Sequence, residues 1–227
     1  MCYLSGMANS LKRWVKSRTP KSIYLWNAYD DKPFRLLDIG AGNHSASKTC
    51  LIFPNCEYYG LDLDRNYNNG PEDFAAMQGF YEMDLTKLDF TSIPDNYFDC
   101  MRMVHVIEHL HNGDKVLEGL LPKLKSGGYF YIEYPGQKST RLPSMHGTLN
   151  FADDPTHVRV YSVPELKSIF NKNGFSILKS GTRRNIYYLS AMPFRIIKSW
   201  LQGRKPQGNI FWDLLGFAEY LWVKKPD

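Results

Sequence analysis

The fold is decided by the stretch FRLLDIGAGNHS, which occupies residues 34–45. Its first half, Phe34 to Ile39, is a short apolar run bounded by glycine, as is typical of a buried strand. The Gly40-Ala41-Gly42 turn that follows lets the backbone approach a ligand closely, because glycine tolerates positive φ. A dinucleotide site of the Gly-x-Gly-x-x-Gly type would need a third glycine where this chain has Ser45. The stretch therefore predicts a strand and a ligand-binding turn, and it disfavours a nicotinamide cofactor.

Strands and helices alternate outward from this turn. Apolar runs predict strands at 34–39, 57–63, 80–83, 97–106, 129–134, 175–181 and 218–225. Helical spacing and turn signals predict helices at 45–53, 71–78, 114–124 and 163–172. This alternation is typical of an α/β domain with a mostly parallel sheet, and right-handed crossovers then place helices on both faces. Ligands of such sheets bind at the carboxyl ends of the strands.

Acidic residues end the next two predicted strands. Asp62 follows Gly42 by twenty residues, and a carboxylate at that position accepts hydrogen bonds from both hydroxyls of a ribose. Asp84 ends the third strand, where a carboxylate can accept a hydrogen bond from an adenine amino group; a solvated acid or a helix cap explains Asp84 equally well. A glycine turn followed by an acid at the next strand end is better evidence for a ribose-bearing ligand than the turn alone.

Further motifs continue this order along the chain: Gly60-Leu61-Asp62, Met83-Asp84-Leu85, Phe98-Asp99, His105-Val106-Ile107-Glu108-His109-Leu110 and Leu124-Lys125-Ser126-Gly127-Gly128-Tyr129. Together with Leu36 to Gly42, they resemble a class I S-adenosylmethionine-dependent methyltransferase over roughly residues 34–181. The resemblance implies a Rossmann-like, doubly wound sheet of seven strands, mostly parallel, with helices on both faces. It also implies that the last strand, at 218–225, runs antiparallel.

By this resemblance the cofactor is S-adenosyl-L-methionine, and the residues that would bind it are Asp38, Gly40, Ala41, Gly42, Asn43, Asp62, Leu63, Asp84, Leu85 and His105. Asp38 and the turn at 40–43 would hold the methionine end. Asp62 would hold the ribose and Asp84 the adenine. His105, just past the fourth strand, would lie beside the sulfonium.

Methyl transfer from a sulfonium is an in-line displacement, which requires aligned reactants and the exclusion of water. A hydroxyl acceptor must also lose its proton, and histidine is a suitable base near neutral pH. We expect His105 and His157 to be catalytic, since His105 borders the expected cofactor site and His157 lies on the long polar segment 137–161. Such a segment usually shapes a substrate pocket, and its polarity favours a small-molecule or glycan-like acceptor; the alternative is an unstructured insertion.

Two other functions are compatible with the sequence. The motif His105-x-x-Glu108-His109 fits the zinc metallopeptidase pattern, which needs both histidines on one face of a helix. A buried strand leads into this motif and Asn112-Gly113 follows it closely, so the sequence argues against such a helix and no metal is expected. A catalytically inactive, methyltransferase-like binding module is the other alternative.

The chain has 227 residues and a net charge of +5, and this charge is unevenly distributed. Residues 1–35 carry a net charge of +5, residues 36–178 carry −6, and residues 179–227 carry +6. Together with the resemblance, this pattern divides the chain into a basic helical extension (1–33), a methyltransferase core (34–184), an aromatic and basic insertion (185–215) and the last strand of the core sheet (216–227).

The two basic flanks also carry aromatic residues. In the first, Leu11, Trp14 and Val15 alternate with basic residues, whereas 185–215 resists assignment to helix or strand. Such faces serve as a lid, a subunit contact or a surface for peripheral contact with an anionic membrane. No base-reading or RNA-stacking motif supports a nucleic-acid partner. With four cysteines but no Cys-x-x-Cys pair, and no signal-peptide or membrane-spanning pattern, the chain is expected to be cytoplasmic; its oligomeric state stays open.

Overall fold

The computed structural model describes residues 13–227, so Leu11 and Lys12 of the predicted basic helix lie outside the described residues. The strands of this part are β1 (Phe34–Ile39), β2 (Cys56–Asp62), β3 (Met77–Glu82), β4 (Phe98–Val104), β5 (Leu124–Pro135), β6 (Ser176–Thr182) and β7 (Ala218–Lys224). They form one sheet in the order β3-β2-β1-β4-β5-β7-β6. Strands β1 to β5 pair in parallel, and β7 is antiparallel to both β5 and β6. The predicted doubly wound, mostly parallel sheet is confirmed.

The labelled α-helices are α1 (Pro20–Tyr29), α2 (Ser45–Ile52), α3 (Pro71–Ala76), α4 (Gly113–Leu120), α5 (Val163–Lys172), α6 (Ile186–Leu201) and α7 (Trp212–Leu215). Residues 13–17 are also helical. Short single turns occur at Leu85–Lys87, Ile107–His109 and Phe151–Asp153, among others. Helix α5 has the predicted bounds. It begins after Ser162, whose hydroxyl accepts a hydrogen bond from the Glu165 N–H, and Pro164 occupies its first turn.

The buried strands supply a hydrophobic core on both faces of the sheet. Leu36 and Leu37 are consecutive in β1 and fully buried, yet they belong to separate hydrophobic clusters. Cys100 and Met101 of β4 divide in the same way. Since successive side chains of a strand point to opposite faces, this is the pattern of a sheet covered on both sides. Helices α4 and α5 pack on one face, and α1 and α2 pack on the other.

Helix α1 lies in the segment predicted to be an extension, and it forms part of this core. Leu25 is fully buried. The Tyr24 ring stacks on Tyr220 and Trp222 of β7, with ring centroids 5.4 and 5.7 Å apart. The described part of the extension therefore covers the sheet and does not project from it.

The observed strand bounds differ from the predicted ones where pairing with a neighbouring strand outweighs the turn and helix signals in the local sequence. β3 begins at Met77, earlier than predicted, because its first residue already pairs with β2. β5 begins at Leu124, where a helix end was predicted. Phe98 of β4 pairs with Leu124, whereas Cys100 pairs with Tyr129, so an irregularity in the ladder absorbs the extra residues of β5.

The segment 185–215 contains α6 and α7. Asn185 caps α6, and its side chain accepts a hydrogen bond from the Tyr188 N–H at 3.1 Å. Large apolar residues occur on the exposed side of α6 as well as on its partly buried side. Pro193 lies inside this helix, where a proline normally argues against one. Among residues 13–227, no helix has both the length and the apolar character needed to cross a membrane.

One buried ion pair connects the two central strands. Asp38 of β1 and Arg102 of β4 are register partners, and Arg102 is only 1% exposed. Arg102 donates to both oxygens of the Asp38 carboxylate, from Nε at 2.8 Å and from Nη2 at 2.6 Å. The Ser45 and Tyr58 hydroxyls also donate to this carboxylate, each at 2.6 Å. Burial alone would raise the pKa of Asp38, but the Arg102 charge outweighs it and keeps this pKa below its ordinary value.

We predict that Arg102→Met lowers the free energy of unfolding by about 3–5 kcal/mol, because it leaves the Asp38 carboxylate buried without a cation. Chemical denaturation measures this loss. The double variant Asp38→Asn, Arg102→Met should recover part of it, since both charges are then removed. Arg35→Met, which breaks the more exposed pair with Glu57, is the control. A loss from Arg102→Met as small as the loss from this control would contradict the prediction.

Candidate active site

A cavity of about 730 Å³ lies at the carboxyl ends of β1, β2, β3 and β4. The strand order reverses between β1 and β4, which is where open α/β sheets bind ligands. The volume lies within the usual range of small-molecule pockets, about 300–1,000 Å³. Lys21 of α1 and the aromatic residues Trp212 and Phe217 complete the wall.

The predicted glycine turn forms the wall beside β1. Gly40 has a φ of +84°, and a Cβ at this position would collide with the Val106 side chain, so only glycine fits. The Gly40 and Ala41 N–H groups donate to the Leu61 carbonyl at 2.8 and 3.2 Å, which ties the turn to β2. Ala41 itself is fully buried and is not part of the cavity wall. The turn residues that line the cavity are Gly40, Gly42 and Asn43.

The acidic residues that follow β2 and β3 line the same cavity, as do their neighbours Leu63 and Leu85. Asp62 accepts a hydrogen bond from the Leu63 N–H at 2.7 Å, and burial raises the pKa of its carboxyl group. Asp84 accepts hydrogen bonds from the Thr86 hydroxyl at 2.6 Å and the Thr86 N–H at 3.0 Å, and these bonds lower its pKa. Asp84 therefore caps the turn Leu85–Lys87 and also lies in the cavity wall.

Two cations that the sequence analysis missed line the cavity beside Asp38, namely Lys21 and Arg102. The Nη1 atom of Arg102 is buried and finds no hydrogen-bond partner among the described residues. Burial, followed by repulsion from Arg102, lowers the pKa of Lys21 to about 8. The signal for Arg102 was a single arginine in an otherwise apolar strand, since a buried guanidinium requires a carboxylate partner.

His105 lies at the end of β4 and lines the cavity. Its backbone has a φ of +55°, a strained conformation for a residue with a side chain that is concentrated at functional sites. Its Nδ1 atom lies 3.2 Å from Glu108 Oε1, and its Nε2 atom lies 3.3 Å from Glu133 Oε1. Burial lowers the pKa of His105, but the two carboxylates outweigh burial and raise this pKa to about 9. A raised pKa favours the protonated form of His105, and its catalytic role stays a prediction.

His157 reaches the cavity from the segment 137–161 and is almost fully buried. Its Nδ1 atom lies 2.7 Å from the Phe151 carbonyl oxygen. The His109 ring lies beside it, with ring centroids 4.9 Å apart. The predicted catalytic residues therefore face one cavity from two walls, with His105 on the β4 side and His157 on the loop side.

The segment 137–161 is organised by one carboxylate, which argues against an unstructured insertion. Asp153 accepts hydrogen bonds from the N–H groups of Met145, Leu149 and Asn150, at 3.0, 2.8 and 2.8 Å. The Ser144 hydroxyl donates to the same carboxylate. Burial raises the pKa of Asp153, but these hydrogen bonds outweigh it and hold the pKa well below its usual range.

A further wall comes from the predicted insertion 185–215. Trp212 packs on His105 with ring centroids 4.8 Å apart, and it stacks on Phe217 at 4.5 Å. Its indole N–H donates to the Thr148 carbonyl at 2.5 Å. Arg183 holds this part in place, because it pairs with both Glu133 and Asp213 at 2.7 and 2.6 Å. At least one residue of the insertion, Trp212, therefore lines the cavity, and a lid function of the segment stays a prediction.

The metallopeptidase geometry is not formed. Residues 107–109 make a single short turn, and His105 precedes this turn at the end of a strand, so His105 and His109 do not share a helix face. The His105 side chain contacts Glu108 directly. The arrangement that a His-x-x-Glu-His peptidase requires is therefore absent from these residues.

The antiparallel β7 and the cavity at the strand ends define the class of Rossmann-like, S-adenosylmethionine-dependent methyltransferases. The chain belongs to the methyltransferase domain family, which matches residues 8–180. Its cofactor is accordingly S-adenosyl-L-methionine.

Curated relatives and solved structures agree with this family. The chain is 28% identical over 144 residues to the uncharacterized methyltransferase YcgJ of Bacillus subtilis, which covers 61% of this chain and 56% of that protein. It is 26% identical over 127 residues to the ubiquinone/menaquinone biosynthesis C-methyltransferase UbiE of Pseudomonas paraeruginosa, covering 52% and 48%. The chain thus spans about half the length of the curated relatives it matches. A SAM-dependent methyltransferase from Archaeoglobus fulgidus shares the fold, with a TM-score of 0.59, 22% identity and 93% of each chain covered.

We predict that Asp62→Ala weakens the binding of S-adenosylhomocysteine by about 1–3 kcal/mol, because ribose hydroxyls would lose their acceptor. Titration calorimetry measures the affinity. Asp89→Ala is the matched control, since Asp89 is an exposed acid that caps a turn outside the cavity wall. An unchanged affinity in Asp62→Ala would remove Asp62 from the cofactor site.

Proposed function

We propose that this protein transfers the methyl group of S-adenosyl-L-methionine to a hydroxylated small molecule or glycan-like acceptor. The observation that carries the proposal is a single cavity with two chemically different ends. Strand-end acids and the glycine turn line one end, and the polar loop residues Asp154, Thr156 and His157 line the other. The first end suits a nucleoside and the second suits hydroxyl groups, because carboxylates and imidazoles hydrogen-bond both.

The cofactor would lie along the ends of β1, β2 and β3. We assign the adenine to Asp84 and Leu85, and the ribose to Asp62 and Leu63. The methionine end would lie at the glycine turn. Because Asp38 is already paired with Arg102 and two hydroxyls, the carboxylate of the methionine end would be held by the cations Lys21 and Arg102. Asp38 then acts mainly by holding Arg102 in position.

The transfer itself requires alignment and a dry site. The acceptor oxygen, the methyl carbon and the sulfur must lie in line, and positioning supplies most of the rate gain. Trp212 and Phe217 cover the cavity beside His105 and would exclude water from the reacting atoms. These aromatic residues are also the walls against which a sugar or phenol ring would pack.

We predict that the purified protein binds S-adenosylhomocysteine and transfers a labelled methyl group to members of a panel of hydroxylated sugars and phenols. Trp212→Ala should lower kcat at least about tenfold while S-adenosylhomocysteine still binds. The reason is that the Trp212 ring would contact the acceptor, and its removal would let water reach the reacting atoms. Trp200→Ala, an exposed tryptophan of α6, is the control. Cofactor binding without transfer to any acceptor class would favour the inactive binding module, and failure to bind the cofactor would overturn the proposal.

We also propose that α6 rests on an anionic membrane surface, with the chain otherwise in the cytoplasm, where Cys50, Cys56 and Cys100 stay as free thiols. The exposed apolar residues of α6 include Phe194, Trp200 and Leu201, of which Phe194 is 75% and Leu201 84% exposed. Exposed apolar side chains this close together are the mark of an interaction surface.

Two further features favour a lipid surface as the occupant. Trp14, also exposed, packs against Tyr187 of α6 with ring centroids 6.4 Å apart, so the two basic flanks meet in one surface. Exposed cations, namely Lys198, Arg204 and Lys205, accompany the apolar residues. An apolar helix face with basic residues beside it complements a bilayer that carries anionic headgroups.

We predict that the protein co-sediments with vesicles containing phosphatidylserine and does so much less with neutral phosphatidylcholine vesicles. The double variant Phe194→Ser, Leu201→Ser should weaken this partitioning at least about tenfold, or roughly 1.4 kcal/mol, because two large apolar side chains no longer enter the interface. Leu51→Ser, at an exposed leucine of α2, should leave it unchanged. Equal partitioning of both variants would contradict the membrane assignment.

A further inference from the structure

Three potential metal ligands lie close together in the part of the cavity that the loop residues Asp154, Thr156 and His157 line, where we place the methyl acceptor. Glu108, His109 and His157 each offer one ligand atom, and these atoms all lie within 4.8 Å of one another. All three residues line the cavity. The turn that carries Glu108 and His109 is fixed to the loop that carries His157, because the Val158 and Arg159 N–H groups donate to the Glu108 carbonyl at 2.9 and 3.1 Å.

Backbone carbonyls set the tautomers of both histidines. The Nδ1 atom of His157 lies 2.7 Å from the Phe151 carbonyl oxygen, and that of His109 lies 3.2 Å from the Thr156 carbonyl oxygen. The Thr156 hydroxyl also lies 2.9 Å from His109 Nδ1, but it donates its own proton to Asp154 at 2.5 Å and so accepts here. Because all these partners accept, each Nδ1 of a neutral ring carries the proton and donates it. Each Nε2 is then left with a free lone pair. Metal-binding histidines are typically fixed in this way, with the second ring nitrogen donating to a carbonyl.

Glu108 supplies a buried carboxylate oxygen that has no partner. Glu108 is 1% exposed, and its Oε2 atom has no hydrogen-bond partner among residues 13–227. Its Oε1 atom lies 3.2 Å from His105 Nδ1 and 3.9 Å from His157 Nε2. A buried polar atom without a partner is costly, so a cation bound beside this carboxylate would stabilise it.

A second cluster of potential metal ligands differs from this one, because hydrogen bonds occupy its buried carboxylate. His44, Glu72 and Asp73 also lie close together. Asp73, however, accepts hydrogen bonds from the Gly70 and Ser47 N–H groups at 2.9 and 3.0 Å, and its Oδ2 atom lies 2.7 Å from His44 Nδ1. Its carboxylate is occupied by capping bonds, so this group does not have the unpartnered buried oxygen that Glu108 has.

We propose that Glu108, His109 and His157 bind one divalent first-row transition-metal ion. Glu108 Oε1 and His157 Nε2 lie 3.9 Å apart, so an ion at about 2.0–2.2 Å from each would lie between them at an angle wider than tetrahedral, and a small inward shift of either side chain would close that angle. Two imidazoles and one carboxylate suit Zn²⁺, Co²⁺ or Mn²⁺ better than Mg²⁺ or Ca²⁺, which prefer oxygen ligands alone. Three protein ligands leave open positions for a substrate, as in catalytic sites.

The ion would specify a hydroxyl-bearing acceptor, and this part rests on the proposed function. The acceptor hydroxyl oxygen would bind to the ion, which lowers its pKa so that its proton passes to water. A lone pair of that oxygen then forms the bond to the methyl carbon. The carbon–sulfur bond breaks, and its electron pair stays on sulfur, which becomes the neutral thioether of S-adenosylhomocysteine.

Titration with Co²⁺ tests the site directly, by its visible absorption and by calorimetry. The purified protein is first stripped of metal with a chelator, and we expect it then to bind one Co²⁺ per chain. Glu108→Gln and His157→Asn should each weaken Co²⁺ binding at least tenfold, because each removes a ligand. His111→Asn, an exposed histidine two residues beyond His109, is the matched control and should bind Co²⁺ unchanged.

Binding of S-adenosylhomocysteine is measured on the same samples. Wild-type protein that binds S-adenosylhomocysteine but not Co²⁺ would overturn the metal site alone, as would Co²⁺ binding that neither ligand variant weakens. Protein that binds Co²⁺ but not S-adenosylhomocysteine would overturn the proposed function and leave the metal site standing. If a ligand variant loses S-adenosylhomocysteine binding through misfolding, His109→Asn, at a less buried ligand, decides the outcome in its place.

Discussion

The ion pair between Asp38 and Arg102 is the interaction on which the geometry of the cavity depends. It joins β1 to β4 at the point where the strand order reverses. The same carboxylate receives hydrogen bonds from Ser45, the first residue of α2, and from Tyr58 of β2. Arg102 in turn donates to Thr49 in the middle of α2, at 2.9 Å. One hydrogen-bond network therefore holds β1, its neighbours β2 and β4, and helix α2. Apolar contacts alone would not orient these elements as specifically.

Much of the fold can be predicted from the sequence because the buried strands are short apolar runs with clear ends. β1 and α5 have the predicted bounds, and the antiparallel β7 follows from the family resemblance. The start of β5 could not be predicted, because Gly127-Gly128 is a helix-end signal locally and only the ladder with β4 extends the strand through it. Helix α6 was not predicted, and Pro193 inside it is a local signal against a helix that the folded chain overrides.

The candidate site, like the fold, could be predicted from the sequence only in part. The acids and glycines at strand ends are visible in the sequence, because each follows an apolar run and the topology brings such ends together. Lys21 and Trp212 line the cavity although they lie far from the strand-end motifs in the chain. Glu133, equally outside those motifs, contacts His105 in the cavity wall. Only tertiary packing brings them there, and no local pattern marks them. The raised pKa of His105 depends on Glu108 within its motif and also on Glu133 of β5, which the motif does not contain.

The segments outside the resemblance complete the site. Helix α1 contributes Lys21 to the cavity and aromatic packing to the sheet, and the last part of the insertion contributes Trp212. The basic flanks are therefore joined to the acidic core by specific contacts, among them the buried pair of Arg183 with Asp213. Several of their exposed apolar residues, Phe194, Trp200 and Leu201, lie on α6, away from these contacts.

Methyl transfer from a sulfonium to an oxygen that has lost its proton brings together opposite charges and cancels them. The transition state is less charged than the separated reactants, so a wall that strips water favours it. In this cavity the wall is Trp212, and its position depends on Arg183, which pairs with Glu133. Glu133 is also the carboxylate that faces His105, and His105 contacts Glu108. The group of charges that would position the acceptor and the lid that would exclude water are therefore parts of one buried network, and displacing either one would disturb the other.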